Sequence, residues 1–280
     1  MDKEAHIRSI GRALAVLRAV NQAGSLSMMQ IARSVGIPYP TACRIVHTLQ
    51  EEGMLERETT RKFYRPTALV TSLAHGYQDH SDLVHLARPE LEALTQTHFW
   101  PISLTTRVGQ HMIVRDCTHA SSPMALTNYQ PGANFPLLEC AAGHIMLAFE
   151  SNEERLRWLD SFEDCDKPAD PLVLERLRSG EFVERVRTDG YVVREYNKFT
   201  NTPGRTSSIA VPIFHQGEVC GALTLVFFSV SMRNETAVER YVPDLKKAAL
   251  AVTRKLSGET GGQRALPSKA DVQGPSLGVA

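Results

Sequence analysis

Apolar side chains recur at helical spacing from near the start of the chain. Ile10, Ala13, Leu14, Leu17 and Val20 form one stripe, which predicts a helix over Ser9–Ala23 stopped by Gly24. Residues 1–8 read as a loose arm, and Ser25-Leu26-Ser27 as a short edge strand that pairs with a hairpin near residue 60. Met28, Ile31, Ala32 and Val35 keep the i, i+3, i+4, i+7 spacing of a second helix, Ser27–Val35, with Ser27 as its N-cap. Gly36-Ile37-Pro38 breaks that pattern, because glycine permits left-handed backbone and proline lacks a donor. A third helix is expected over Thr41–Glu52, with Ala42, Ile45, Val46 and Leu49 on one face and Thr41, Arg44, His47, Thr48 and Glu51 on the other. Gly53 fits the stop position beyond it. Met54–Arg57 and Phe63–Arg65 read as two short strands around the polar turn Glu58–Lys62. Helix, tight turn, helix and β-hairpin together predict a winged helix-turn-helix.

Past Pro66 the period changes several times. Leu69, Leu73, Ala74 and Tyr77 suggest a helix over Leu69–His80. A further one starts near Asp82 with Leu83, Leu86, Ala87, Leu91 and Leu94, and Pro89 is expected to kink or restart it. Ile102, Leu104, Thr106 and Val108 alternate, Gly109-Gln110 turns, and Met112-Ile113-Val114 resumes, a hairpin within Trp100–Cys117. Pro123–Tyr129 reads as another strand. Helices are expected over Cys140–Glu150, entered through Pro136-Leu137-Leu138, from Ser151 to Phe162, and over Pro171–Thr188. A strand Tyr191–Glu195, a loop Tyr196–Arg205 and a hairpin of Ser207–Phe214 with Val219–Phe228 come next. Ala237–Leu256 closes as a helix, and the Gly, Ser, Pro and Gln that come after predict a disordered tail. The fold class is α+β, with a winged helix-turn-helix over 1–66, a linker helix over 67–81, an antiparallel-sheet domain over 82–257 and a tail over 258–280.

Composition narrows the function. At 280 residues the chain has room for two domains, and its longest apolar run is far short of a membrane span. The opening MDKEAHIRSI lacks an apolar signal core, so a cytoplasmic protein is expected. The five cysteines (43, 117, 140, 165 and 220) form no C-x-x-C pair, which fits a reducing compartment and offers no zinc site. Net charge is zero, yet residues 1–66 hold ten Lys/Arg against six Asp/Glu while the remainder holds twenty-one against twenty-five. A basic quarter on an acidic body suits a protein of which one domain meets a polyanion.

Double-stranded DNA is the polyanion this arrangement fits, because the major groove admits one α-helix and the second helix of such a unit is the one inserted. Arg44 leads the candidates for base contact, with Tyr39, Thr41, His47 and Thr48 beside it, while Arg61 and Lys62 on the wing suit phosphate. The competing readings are a solvated αα-hairpin and, for Arg44, a surface pairing with Glu51 or Gln50. Catalytic patterns are missing. His111, His119, His144 and His215 are scattered, with no H-E-x-x-H, G-x-S-x-G or phosphate loop, and Cys220 sits in an apolar strand as a buried thiol would. No catalytic residue, metal or cofactor is therefore expected.

Several stretches also resemble the IclR-type bacterial transcriptional regulators. In the first half these are Ser9–Leu14, Ile31-Ala32, Gly36-Ile37-Pro38, Thr41–Arg44, Leu49 and Glu52-Gly53. In the second they are Phe135–Leu138, Ala142-Gly143, Leu147-Ala148, Gly190-Tyr191, Ser208–Pro212 and Gly221–Leu225. Pro40 departs from the family, which more often has serine there; it is read as proline at the first helical position. The resemblance implies a helical linker that aids dimerisation, a homodimer or tetramer, and a GAF-like sheet domain that binds a small effector. Within the family the chain looks most like regulators of aromatic-acid catabolism of the hydroxyphenylpropionate type, so a small organic acid is the implied ligand. Carried over by position, the pocket residues are Leu138, Ala142, Arg194, Ser208 and Thr224. Arg194 suits a carboxylate by a bidentate fork, against the alternative of a strand-end charge paired with Glu195 or Glu184. Phe135, Phe199 and Phe227 are either aromatic walls or core. The rival reading is a GAF-like sensor or enzyme whose helix-turn-helix contacts protein.

Overall fold

The computed structural model describes residues 7–77, 82–125, 130–163, 170–194 and 205–258. Two compact units divide the chain, residues 1–80 and 81–280. The first holds α1 (Arg8–Ala23), β1 (Leu26–Ser27), α2 (Met28–Val35), α3 (Tyr39–Glu51), β2 (Leu55–Arg57) and β3 (Phe63–Pro66). Its strands run β1-β3-β2, so the expected edge strand does pair with the wing, Leu26 opposite Tyr64. Val16, Leu17, Val20, Met28, Ile31, Ala32, Ala42, Val46, Leu55 and Tyr64 form its core. Ile10 and Leu14, which belong to the same sequence stripe, remain exposed on the first turns of α1.

Local chemistry fixes the helix ends. Ser27 Oγ accepts from the Gln30 backbone while the Gln30 side chain returns to the Ser27 amide, a complete capping box at the start of α2. Gly36 ends that helix in the left-handed conformation. α3 begins at Tyr39, two residues before the expected Thr41, with Pro38 as its extended N-cap and Pro40 inside its first turn. Amides in that first turn have no intrahelical partner, so Pro40 forfeits nothing by lacking one. Gly53, at φ +72, follows the helix as expected.

The linker differs from its sequence pattern. Residues Ala68–Ala74 form a 3₁₀ helix with no buried residue, not an α-helix over Leu69–His80. Leu69, Leu73 and Tyr77 are spaced for one helical face but are all exposed, so no core here supplies the stabilisation that a short α-helix needs. Thr71 and Ser72 hydroxyls bond the carbonyls of Ala68 and Leu69, three residues back, in the tighter i→i+3 pattern. Residues 78–80 lie outside the described residues.

The second unit is built on one antiparallel sheet, in the order β6-β5-β4-β9-β8-β7. Its strands are β4 (Ile102–Val108), β5 (His111–Cys117), β6 (Asn134–Pro136), β7 (Val192–Arg194), β8 (Thr206–His215) and β9 (Glu218–Phe228). The helices are α4 (Leu83–His98), α5 (Ala141–Phe149), α6 (Asn152–Glu163), α7 (Pro171–Arg178), α8 (Gly180–Asp189) and α9 (Asn234–Leu256). Strand alternation sorts the side chains into two cores. Ile102, Leu104, Ile209, Val211, Ile213, Leu223, Leu225 and Phe227 meet α4 and α9 on one face. Met112, Ala210 and Ala222 meet α5 to α8 on the other. Gln216 and Gly217, both at positive φ, make the β8–β9 turn a tight hairpin of the primed kind.

Several expectations change in this unit. α4 runs through Pro89 without a restart. Residues 123–125 carry no strand, and the remainder of the expected Pro123–Tyr129 strand lies outside the described residues. The added edge strand is instead β6, which pairs with β5 at Met112–Phe135. The run Pro171–Thr188 is two helices, parted at Ser179, which caps both. The 196–204 loop, Phe199, Cys165 and the tail beyond Gly258 lie outside the described residues.

Candidate functional site

In the first unit the outward side chains of α3 are available to a partner. Tyr39, Arg44, His47 and Thr48 are exposed and Thr41 is half-buried, as are the neighbours Ile45 and Leu49 that the sequence placed inward. Arg44 bears no ion pair among the described residues, so the proposed pairing with Glu51 or Gln50 is not made. Thr48 Oγ1 donates to the Arg44 carbonyl at 3.1 Å, which leaves its hydroxyl only an accepting role toward a ligand. On the wing, Arg65 is tied to Glu56 at 2.6 Å, whereas Arg61 and Lys62 stand exposed in the turn. Tyr39 lies beside Cys43, whose proximity raises the phenol pKa, so its hydroxyl stays protonated.

In the second unit a cavity opens on the sheet face that α5 covers, with about 610 Å³ of empty space, its open mouth included. Met112, Val114, Phe135 and Val226 supply apolar wall, and Ser103, Thr105 and Thr224 supply hydroxyls from neighbouring strands. Ala142, Arg194, Ser208 and Thr224, the positions that the resemblance implies, all line this cavity. Leu138 does not: it is buried in the core under α5, and its contribution is a carbonyl. Phe135 is a wall residue, while Phe227 lies in the opposite core against Trp100 and Tyr241.

Glycine makes the cavity's helical side possible. Leu137–Glu139 forms a 3₁₀ turn and Cys140 is the N-cap of α5, its Sγ accepting from the Gly143 amide at 3.3 Å. Burial pushes the Cys140 thiol up to about 12, so it stays neutral. Ala141 to Ala148 are all buried, and the short side chains at Ala141 and Ala142 leave room above the sheet.

The polar corner of the cavity centres on Arg194 at the end of β7. Its Nη2 meets Glu139 Oε2 at 2.8 Å, with the side chains 15% and 13% exposed. Glu184 meets Arg187 instead at 3.6 Å, Glu195 lies outside the described residues, and the Arg194–Glu139 pairing joins residues 55 apart, beyond the reach of local sequence patterns. His144 is buried beside it, with Nε2 at 2.9 Å from the Leu138 carbonyl and 3.2 Å from Arg194 Nη1. Burial, then the Arg194 charge, lowers the His144 pKa to about 3. A neutral ring that faces a carbonyl carries its proton on Nε2, so Nε2 donates to Leu138 and cannot accept from Arg194. Behind this corner Arg176 and Arg185 stack on the Phe182 ring at 4.6 and 5.5 Å. No carboxylate pairs with either of them among the described residues.

Thr224 Oγ1 is buried without a hydrogen-bond partner among the described residues, a costly state for a hydroxyl unless something fills the cavity. Thr224→Val should therefore leave the ligand-free protein as stable as before or slightly more so. Thr118→Val provides the contrast, because Thr118 Oγ1 meets Thr95 at 2.6 Å and accepts from the Ile102 amide at 2.9 Å. It should lose about 1–3 kcal/mol. Urea denaturation of both variants checks the pair, and an equal loss in each would mean that Thr224 is already satisfied.

Comparison with known proteins identifies the units. Residues 75–254 match the family described as bacterial transcriptional regulator IclR C-terminal, and residues 9–59 match the IclR helix-turn-helix domain. Among relatives, the HTH-type transcriptional regulator TsaQ1/TsaQ2 of Comamonas testosteroni is 25% identical over 190 residues, 68% of each chain. An IclR family transcriptional regulator from Brucella abortus shares the fold at TM-score 0.64 and 19% identity, over 90% of this chain and 94% of that one. An IclR homologue from Microbacterium hydrocarbonoxydans, solved with 4-hydroxybenzoate, does so at TM-score 0.61 and 24% identity, over 89% and 98%. The named relatives are transcriptional regulators, not enzymes. A helix-turn-helix unit with its wing, a sheet domain with an open cavity and two family matches agree: the chain belongs to the IclR family of bacterial transcriptional regulators.

Proposed function

We propose that this regulator binds a double-stranded DNA operator as a homodimer or tetramer in the cytoplasm, and that a small carboxylic acid, aromatic in kind, controls it. Residues 1–66 carry the DNA contact, 67–81 the link and 82–257 the effector response. Tyr39, Thr41, Arg44, His47 and Thr48 read the operator and Arg61 with Lys62 hold phosphate. Ala142, Arg194, Ser208 and Thr224 hold the effector, whose breakdown the controlled genes serve. One observation carries the effector class: among the described residues, Arg194, Arg176 and Arg185 outnumber Glu139 at the polar corner of a mostly apolar cavity. An acid with an apolar body matches both features, and the Microbacterium relative holds such a molecule. Binding acts by shifting the population between forms of different DNA affinity.

A thermal-shift screen of the full chain with benzoate, 4-hydroxybenzoate, short aliphatic acids and their amides tests this reading, followed by anisotropy on operator DNA with each hit. Acids should raise the melting temperature and change operator affinity. A screen in which only neutral compounds bind would overturn the effector class. Failure of the full chain to bind DNA at low salt would favour a protein-contact role for the helix-turn-helix.

A further inference from the structure

We propose that Glu139 sets the charge selectivity of the cavity: it holds Arg194 in the ligand-free protein, and an effector carboxylate enters by taking its place. The proposal rests on the organic-acid reading of the cavity and adds to it a residue that competes with the ligand from within the chain.

Three observations converge on this. Arg194 lines the cavity while its Glu139 partner stands just outside, one residue before the Cys140 cap of α5. At 2.8 Å and low exposure the pair is little screened by water, so an incoming group must offer Arg194 at least what Glu139 offers. Only another anion does that; an amide or alcohol of the same shape leaves the pair in place. Glu139 also has cations to turn to. Arg176, close enough to Arg194 for the two charges to interact, and Arg185 beside it hold no carboxylate among the described residues.

Two further polar groups at this corner, His144 and Cys140, do not enter the exchange. The His144 ring is neutral and its Nε2–H is given to the Leu138 carbonyl, and the Cys140 thiol is neutral and bonded to the Gly143 amide. The exchange has a structural consequence as well. Glu139 lies in the turn that starts α5 and Arg194 in the edge strand β7, so displacing Glu139 removes one of the ties between the two elements. Ligand charge is thereby converted into a change of packing inside the effector domain.

The test uses the full chain with benzoate and benzamide as probes, and calorimetric titration of wild type, Glu139→Gln, Arg194→Gln and the double variant. Glu139→Gln should bind benzoate about ten-fold tighter or more than wild type, with benzamide unchanged, since a charge-assisted competitor has been removed. Arg194→Gln should lose benzoate binding, and the double variant should do no better than Arg194→Gln alone. Glu139→Ala, which puts no amide at the position, must show the same gain; a melting curve confirms that each variant is folded. If wild type binds benzoate and neither Glu139 variant binds it more tightly, the competitor role is wrong while the cavity reading stands. A gain that persists without Arg194, or one that benzamide shares, overturns it too. If neither wild type nor the Glu139 variants bind benzoate, the cavity reading and this proposal fall together.

Discussion

Gly143→Ala should be among the most damaging single substitutions in the effector domain. Gly143 sits in the first turn of α5, where the helix passes over the 3₁₀ turn before it. A Cβ there would overlap the Leu137 carbonyl oxygen and lie 2.7 Å from the carbonyl carbon. Both are backbone atoms, so no side chain can rotate away, and α5 itself is buried from Ala141 to Ala148. Overpacking of this kind costs about 3 kcal/mol, out of about 5–15 kcal/mol for a whole domain. For a domain of this size that lowers the melting temperature by roughly 6–12 °C. The same shift would move Cys140 and Ala142 in the cavity wall, so the thermal response to an acid should disappear as well. A melting temperature within about 2 °C of wild type, with ligand response intact, would show that the turn relaxes more freely than the close approach implies.

Which parts of this molecule could be read from its sequence depends on the range of the interactions that hold them. The Ser27 cap, the break at Gly36 and the Gln216-Gly217 turn act within four residues, and each was legible, whereas the Gln30 half of the capping box was not read. The long apolar runs of β8 and β9 were legible too, since a sheet covered on both faces favours such runs. The linker misled because Leu69, Leu73 and Tyr77 keep helical spacing and yet are exposed. β6 has three residues and one is proline, too little for a period, and Ser179 divides α7 from α8 without a strong breaker. In the site, Ala142, Ser208, Thr224 and Arg194 were reached through family resemblance. Glu139 and His144 were not, because they meet Arg194 across 55 and 50 residues of chain. Only the pairing of β7 with β8, and the seat of α5 over the sheet, brings those groups to one corner.

The DNA-binding unit permits a sharper separation, between reading a base and holding a phosphate. Arg44→Ala should weaken operator binding by about 1–3 kcal/mol, roughly 5- to 150-fold, and bring operator and random DNA closer together in affinity. Its side chain is exposed on α3, and no ion pair among the described residues holds it down, so its five donors are free to fork onto a guanine edge. Lys62→Ala should lower both affinities in parallel and reduce the slope of log affinity against log salt by about one unit, the mark of a lost phosphate contact. Lys62 lies in the turn between β2 and β3, exposed and outside the Glu56–Arg65 pair that braces those strands, so its removal should leave the wing folded. Anisotropy titrations at several salt concentrations, on the operator and on a scrambled duplex, separate the two effects. Should Arg44→Ala weaken both duplexes equally, Arg44 is a positioning residue. Specificity then passes to Tyr39, Thr41 and His47, because Thr48 has already given its hydroxyl proton to the Arg44 carbonyl and can only accept.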